Sequence, residues 1–153
     1  MKKIHITFLL VFASLGCYAQ SEKTLDETKA YIVKMINEHG FKQNSDKRRL
    51  RAEFDGNLLK IFTENGLFGK SMEDEAVYNF ANVYKYKGPM KKPGDIAEII
   101  IWVDQRANER NNKWVKQNFE MDIHNYEIGQ QLMIAFRHLN KLLLESKPAI
   151  EKF

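Results

Sequence analysis

Asp122 and His124 stand two residues apart near the end of an alternating segment, a spacing that can set an orienting carboxylate beside a general base. No serine lies in a recognisable nucleophile context, so a hydrolytic triad does not assemble from the sequence. His39 and His138 fall on helical stretches, and no two histidines have the i, i+4 spacing of a helical zinc site. No metal site is therefore expected. Carboxylates offer a different chemistry. Glu53 or Asp55 with Glu120 or Asp122 would serve a small hydrolase if one pair converged to within about 5–10 Å in a cleft. Gly69-Lys70-Ser71 looks like the end of a phosphate-binding loop, but Glu64 stands where its first glycine belongs and a strand follows in place of a helix. Glu73-Asp74-Glu75 gathers acid without the spaced oxygen ligands and central glycine of a calcium loop. No cofactor is expected from these patterns.

Binding chemistry is better represented. Trp102 and Trp114 flank a charged, Asn-rich stretch at 104–113 that carries Arg106 and Arg110. Two tryptophans facing each other at the base of a loop suit sugar or peptide recognition. The competing reading packs both into the core beside Phe119. Lys91, Lys92 and Lys113 join Arg106 and Arg110 on expected loops, and together these cations would meet anionic lipid headgroups or polysaccharide. Lys47, Arg48, Arg49 and Arg51 form the densest basic run, of which only Arg49 and Arg51 share the outward face of a strand. The partner classes left open are an envelope protein, a peptide, a glycan and an anionic lipid.

The start of the chain bears on where such binding happens. Lys2 and Lys3 precede an apolar run at 4–15, and Cys17-Tyr18-Ala19 leads into Gln20. Basic end, short apolar stretch and small residues at a cut form the layout of a secretory signal, residues 1–19. The run is shorter than the roughly 20 residues that cross a bilayer. Cleavage after Ala19 would make Gln20 the new N-terminus. The alternative is lipoprotein processing at Cys17, which would leave the domain membrane-anchored. The expected location is periplasmic or secreted.

The 153-residue chain carries 24 basic and 20 acidic residues, a formal net charge of +4. Lys2 and Lys3 account for half of that excess, and a near-neutral remainder lacks the basic footprint of a nucleic-acid binder. Cys17 is the one cysteine, so a chain cut after Ala19 has no thiol and rests on its core alone. Residues 20–153 suit a single domain that buries roughly two thirds of its unfolded surface.

Several elements can position these groups. The stretch 21–40 reads as a helix, with Thr24 and Glu27 at capping-box spacing and Leu25, Thr28, Ile32, Met35 and Ile36 on one face. Leu50, Ala52 and Phe54 alternate with Arg49, Arg51 and Glu53 as a half-buried strand. Asp55-Gly56-Asn57 then turns the chain into a second strand at 58–63. A loop is expected at 64–75 and a strand at 77–86, with Tyr78, Phe80, Tyr84 and Tyr86 sharing a parity. The stretch 88–94 holds two glycines and two prolines and reads as a break. A β-branched strand at 96–103 follows, covered on both faces, and then an amphipathic strand at 115–123. Asn125 caps a last helix whose stripe is Ile128, Leu132, Ala135, Phe136, Leu139, Leu142 and Leu143.

The fold class expected is α+β: an N-terminal helix, an antiparallel sheet of about five strands, and a C-terminal helix packed on the sheet. A variant bends the sheet strongly and closes it with the last helix, resembling a pleckstrin-homology-like barrel. The layout also resembles small exported bacterial proteins of uncharacterised families, in the lysine-started leader ending Ala19-Gln20 and in the helix segment Ala135-Phe136-Arg137-His138-Leu139-Asn140-Lys141-Leu142. That resemblance implies no activity and transfers no functional residue. The function expected is non-catalytic binding or scaffolding in the cell envelope. The alternatives are the carboxylate hydrolase and the lipoprotein tethered through Cys17.

Overall fold

A computed structural model describes residues 23–45, 48–65, 71–108 and 110–146. The leader with Cys17, Ala19 and Gln20, then Lys47, Gly69 and Lys70, lies outside them. The order is α1 (Leu25–His39), β1 (Gly40–Phe41), β2 (Arg48–Asp55), β3 (Leu58–Asn65), β4 (Ser71–Lys92), β5 (Ile96–Asn108), β6 (Lys113–His124) and α2 (Tyr126–Glu145). The α+β class and both helices match the sequence reading, and the sheet has six antiparallel strands instead of about five.

The extra strand is β1, two residues directly after α1, too short to leave any periodicity in the sequence. Phe41 lies opposite both Arg49 of β2 and Asp122 of β6, so this short piece closes the meander into a barrel. A strand and not the last helix makes the closure.

Both helices start as their sequences specify. Thr24 accepts a hydrogen bond from the Glu27 N–H, and the Glu27 carboxylate accepts from the Thr24 N–H, which completes the capping box. Asn125 accepts from the Ile128 N–H at the start of α2. The helices lie against the concave face of the curled sheet. Ile32 and Ile36 of α1 and Leu132, Phe136, Leu139 and Leu143 of α2 join the inward residues of the strands in one core. At its centre the Phe136 ring stacks on Phe80 at 4.8 Å between centroids and meets Phe119 edge-on at 5.5 Å. Gly129 allows the start of α2 to touch β5, since a Cβ there would come within 2.2 Å of the Ala97 Cβ.

Strand β4 departs most from expectation. The expected loop at 64–75 is shorter, because β3 and β4 pair as far as Asn65↔Ser71. Glu73-Asp74-Glu75 thus falls in a strand and not a loop. The expected break at 88–94 is also wrong for its first half. The register passes from Lys87↔Ile100 to Met90↔Glu98, so Gly88 and Pro89 form a bulge in which the missing proline N–H costs no ladder bond. The turn is confined to 93–95. Two further register shifts, between Asn79 and Val83 and between Val83 and Lys85, bend β4. Its first part pairs with β3 and its second with β5. The bulges also break the expected parity. Tyr78 and Phe80 are buried at 8% and 0% exposure, while Tyr84 is 53% exposed on the outer face. The stretch 104–108, expected as loop, continues β5, where Asp104↔Lys116 and Arg106↔Trp114 extend the ladder.

Candidate functional site

The outer face of β4, β5 and β6 is the broad polar surface of the barrel, and it carries groups at both ends. Toward the β5–β6 turn, outward positions alternate rings with cations. Lys85 Nζ lies 5.2 Å from the Trp102 ring centroid, the Arg106 guanidinium 5.4 Å from Trp114, and Lys116 Nζ 4.8 Å from Tyr84. Such pairs stabilise a fixed ring orientation by roughly 0.5–1 kcal/mol each at exposed sites. Asp104 sits among them, accepting from Tyr84 Oη at 2.7 Å and Asn82 Nδ2 at 2.8 Å. The hydrogen bond from Tyr84 to this carboxylate raises the phenol's pKa.

The Asn-rich turn works as a set of side-chain caps. Asn108 Oδ1 accepts from the Arg110 N–H, Asn111 Oδ1 from the Lys113 N–H, and Asn112 Oδ1 from Trp114 Nε1. Arg110 is exposed at this tip.

Trp102 and Trp114 share this face but do not face each other. Trp102 is opposite Asn118 and Trp114 opposite Arg106, which separates the two tryptophans by about 13 Å along the strands. Neither enters the core: both are half-buried, and each has a cation over its ring. The expected basic cluster also divides. Arg106, Arg110 and Lys113 gather at the tip, whereas Lys92 is opposite Ile96, about 33 Å away along β5.

Sequence reasoning missed a polar cluster at that far end. Lys92 Nζ lies 2.7 Å from Glu98 Oε1 and 2.9 Å from Asp122 Oδ1, on two carboxylates that are cross-strand partners. The segment after β1 folds across them. Gln43 Nε2 donates to Glu98 Oε1 at 2.7 Å, and the Asn44 N–H donates to Asp122 Oδ2 at 3.1 Å. One signal was legible: Glu98 is the single charge in the apolar run 96–103, and a carboxylate there needs a partner. Beside the cluster lies an open pocket of about 330 Å³ lined by Phe41, Asn44, Ser45, Lys92, Pro93, Ile96, Asp122 and His124. Its wall is the His124 ring stacked on Phe41, with centroids 4.1 Å apart and planes at 23°.

Burial pulls the Lys92 ammonium down, but its hydrogen bonds to Glu98 and Asp122 outweigh this and leave its pKa raised. The bond from Lys92 holds the Glu98 carboxyl below its ordinary value against the opposing effect of burial. The two signs fix a pH window. The Glu98 contribution is present above its ordinary value of 4.5 and is lost as pH falls through its lowered folded value. The Lys92 contribution is present below its ordinary 10.5 and is lost as pH rises through its raised value. Glu98→Gln is therefore expected to lower the urea midpoint at neutral pH, with the gap to wild type narrowing at pH near 3. A gap of equal size at both pH values would count against this account.

The other candidate chemistry is dispersed. Asp122 is held by Lys92 and Asn44, and His124 packs on Phe41, so the two do not form an orienter and base. Asp55 pairs with Lys60 at 3.0 Å beside the β2–β3 turn. Phe41 sets Arg49 and Asp122 level with each other, which leaves Glu53 about 13 Å and Asp55 about 20 Å further along β2. These carboxylates do not converge to glycosidase spacing. His138 Nε2 lies 2.7 Å from the Lys23 carbonyl, and His39 lies 3.7 Å from Glu38. Arg51 pairs with Glu64 at 3.1 Å, and the Arg49 guanidinium lies over Phe41. Among the described residues no group of three or more His, Cys, Asp or Glu side chains is placed to hold a metal ion. No helix among them is long and apolar enough to cross a membrane.

Fold and site together define a six-stranded antiparallel barrel padded by two helices, with a cation–aromatic face at one end and an ion-paired pocket at the other. Comparison of the chain with protein-family models, curated proteins and solved structures gives no match.

Proposed function

We propose that the chain is an exported domain of the cell envelope that binds and does not catalyse, and that the tip half of its outer sheet face holds an acidic polysaccharide. The observation that carries this reading is the row of three cation-over-ring pairs, Lys85 with Trp102, Arg106 with Trp114 and Lys116 with Tyr84, on one sheet face. Flat rings match the C–H faces of sugar units, and the cations beside them match carboxylates repeated along a uronic chain. Arg110 and Lys113 add charge at the turn, against Asp104 among the pairs and Glu120 beside Asn118. The spread of the rings along the strands suits several successive units and not a single one.

The leader supports export, with cleavage after Ala19 giving a free domain. Processing at Cys17 would tether the same face at the membrane, and the intact mass of the mature protein separates the two. Binding is tested by calorimetry with soluble polygalacturonate, neutral dextran and anionic lipid vesicles. The expected result is uronate binding that weakens with salt and falls about tenfold in Trp114→Ala and in Trp102→Ala. Equal binding of dextran, preference for vesicles, or indifference to both substitutions would sink the proposal.

A further inference from the structure

The pocket at the opposite end of the face has a different chemistry. We infer that it is a second site, for one small neutral polyhydroxylated ring, that is, a single sugar unit. Its volume of about 330 Å³ lies at the lower end of the range for ligand sites, large enough for one ring and not for a chain.

Charge decides the class of ligand. Lys92 is one ammonium between two carboxylates, Glu98 and Asp122. An added anion would meet the surplus carboxylate, and an added cation would meet Lys92. Either meets a like charge within the cluster, which a neutral group does not. A hydroxyl group suits both charges, because it donates through its hydrogen and accepts through its lone pairs. Both kinds of vacancy exist here. The Asp122 carboxylate accepts from Lys92 and from the Asn44 N–H and still has lone-pair capacity. Lys92 reaches Asn44 Oδ1 only at 3.4 Å, a weak use of its third N–H. Asn44 supplies an exposed amide and Ser45 a hydroxyl on the same rim. Vicinal hydroxyls on one ring are the simplest ligand that uses a carboxylate, an ammonium and an amide side by side.

The remaining wall is apolar and flat. Phe41, Pro93 and Ile96 line it, and the His124 ring lies stacked on Phe41. A sugar ring presents a C–H face opposite its hydroxyl edge, and this pocket offers the matching arrangement. The cluster beneath keeps its polar groups in place, since β4, β5, β6 and the segment after β1 all contribute a member.

Saturation-transfer NMR on the full mature domain tests the site, with methyl glycosides of neutral monosaccharides and a neutral oligosaccharide as probes. Asn44 has φ 59°, so Asn44→Gly removes the amide without disturbing the backbone, and His124 is exposed, so His124→Ala leaves the core intact. Saturation transfer to the methyl glycosides is expected, with apparent affinity falling about tenfold in the double variant. Transfer to free glycosides assigns the site to a free sugar, and transfer only to the terminal ring of the oligosaccharide assigns it to a chain end. Absence of transfer from both, equal transfer in the double variant, or tighter binding of acetate or methylamine overturns the inference. Polygalacturonate binding, read separately by calorimetry, reports on the tip, so failure here is separable from failure of polysaccharide binding there.

Discussion

Phe136→Ala is expected to lower the melting temperature by about 10–20 °C. Phe136 is fully buried, and its ring is where α2 meets the sheet, stacked on Phe80 of β4 and edge-on to Phe119 of β6. Phe119 in turn contacts Phe80 and Tyr78, so four rings share one contact network. Truncation loses the transfer free energy of the ring and leaves a void that stacked neighbours on two strands cannot close. Losses of about 3–5 kcal/mol are usual for such a change, against about 5–15 kcal/mol of total stability. Ile134 is the matched control, one helix residue 66% exposed, for which Ile134→Ala should stay within about 0.5 kcal/mol. Thermal and urea unfolding of both variants, followed by circular dichroism, decides the matter. Similar midpoints for the two would mean that α2 is not anchored through this ring.

The second large effect has an unusual sign. Replacing a helical glycine by alanine ordinarily stabilises a helix by about 1 kcal/mol. Gly129→Ala is expected to destabilise instead, by about 1–3 kcal/mol, as overpacking does. The added Cβ would come within 2.2 Å of the Ala97 Cβ and 3.7 Å of the Ala97 Cα. Those atoms are fixed to β5 and cannot rotate away, so the helix must lift from the sheet. Removing the opposing methyl should undo the harm. Ala97→Gly alone weakens β5 by about 0.5–1 kcal/mol, yet combined with Gly129→Ala it is expected to recover most of the lost stability. A double-mutant cycle measures this coupling, expected at about 1–3 kcal/mol. Simple additivity would show that the helix and strand do not touch at this point.

Some of this could be read before the structure, and the reason differs by element. The capping box of Thr24 with Glu27 and the Asn125 cap are local, so residues within one helical turn specify them. Alternation in Leu50-Ala52-Phe54 and Phe119-Met121-Ile123 is local too, and these six residues do line or edge the core. Strand β4 was misread because Gly88 and Pro89 are breakers in most contexts and become harmless only in a bulge opposite β5. The extension of β5 through Gln105 and Arg106 was missed because polar residues on an exposed ladder lack an apolar rhythm. Trp102, Trp114, Arg106 and Arg110 all lie on the β5–β6 hairpin, but which of them adjoin depends on register, which local sequence does not fix. The Lys92–Glu98–Asp122 cluster needed the register of three strands at once, which no local pattern carries.

The two-residue strand Gly40–Phe41 has a consequence for how the ring comes together. From β2 to β6 every strand pairs with its successor in the chain, so these pairings can form by successive hairpins. Among the strand pairings, Gly40↔Ile123 and Phe41↔Asp122 join residues from opposite ends of the domain. Contacts between distant residues reward the chain only after a long loop has been ordered, which makes them slow to nucleate. The order expected from this is a growing meander that curls over the helices, with the seam joined late by the residues that leave α1. Unfolding in the reverse order would begin where the lock is shortest. It would free the facing edges of β2 and β6 while the aromatic centre still held.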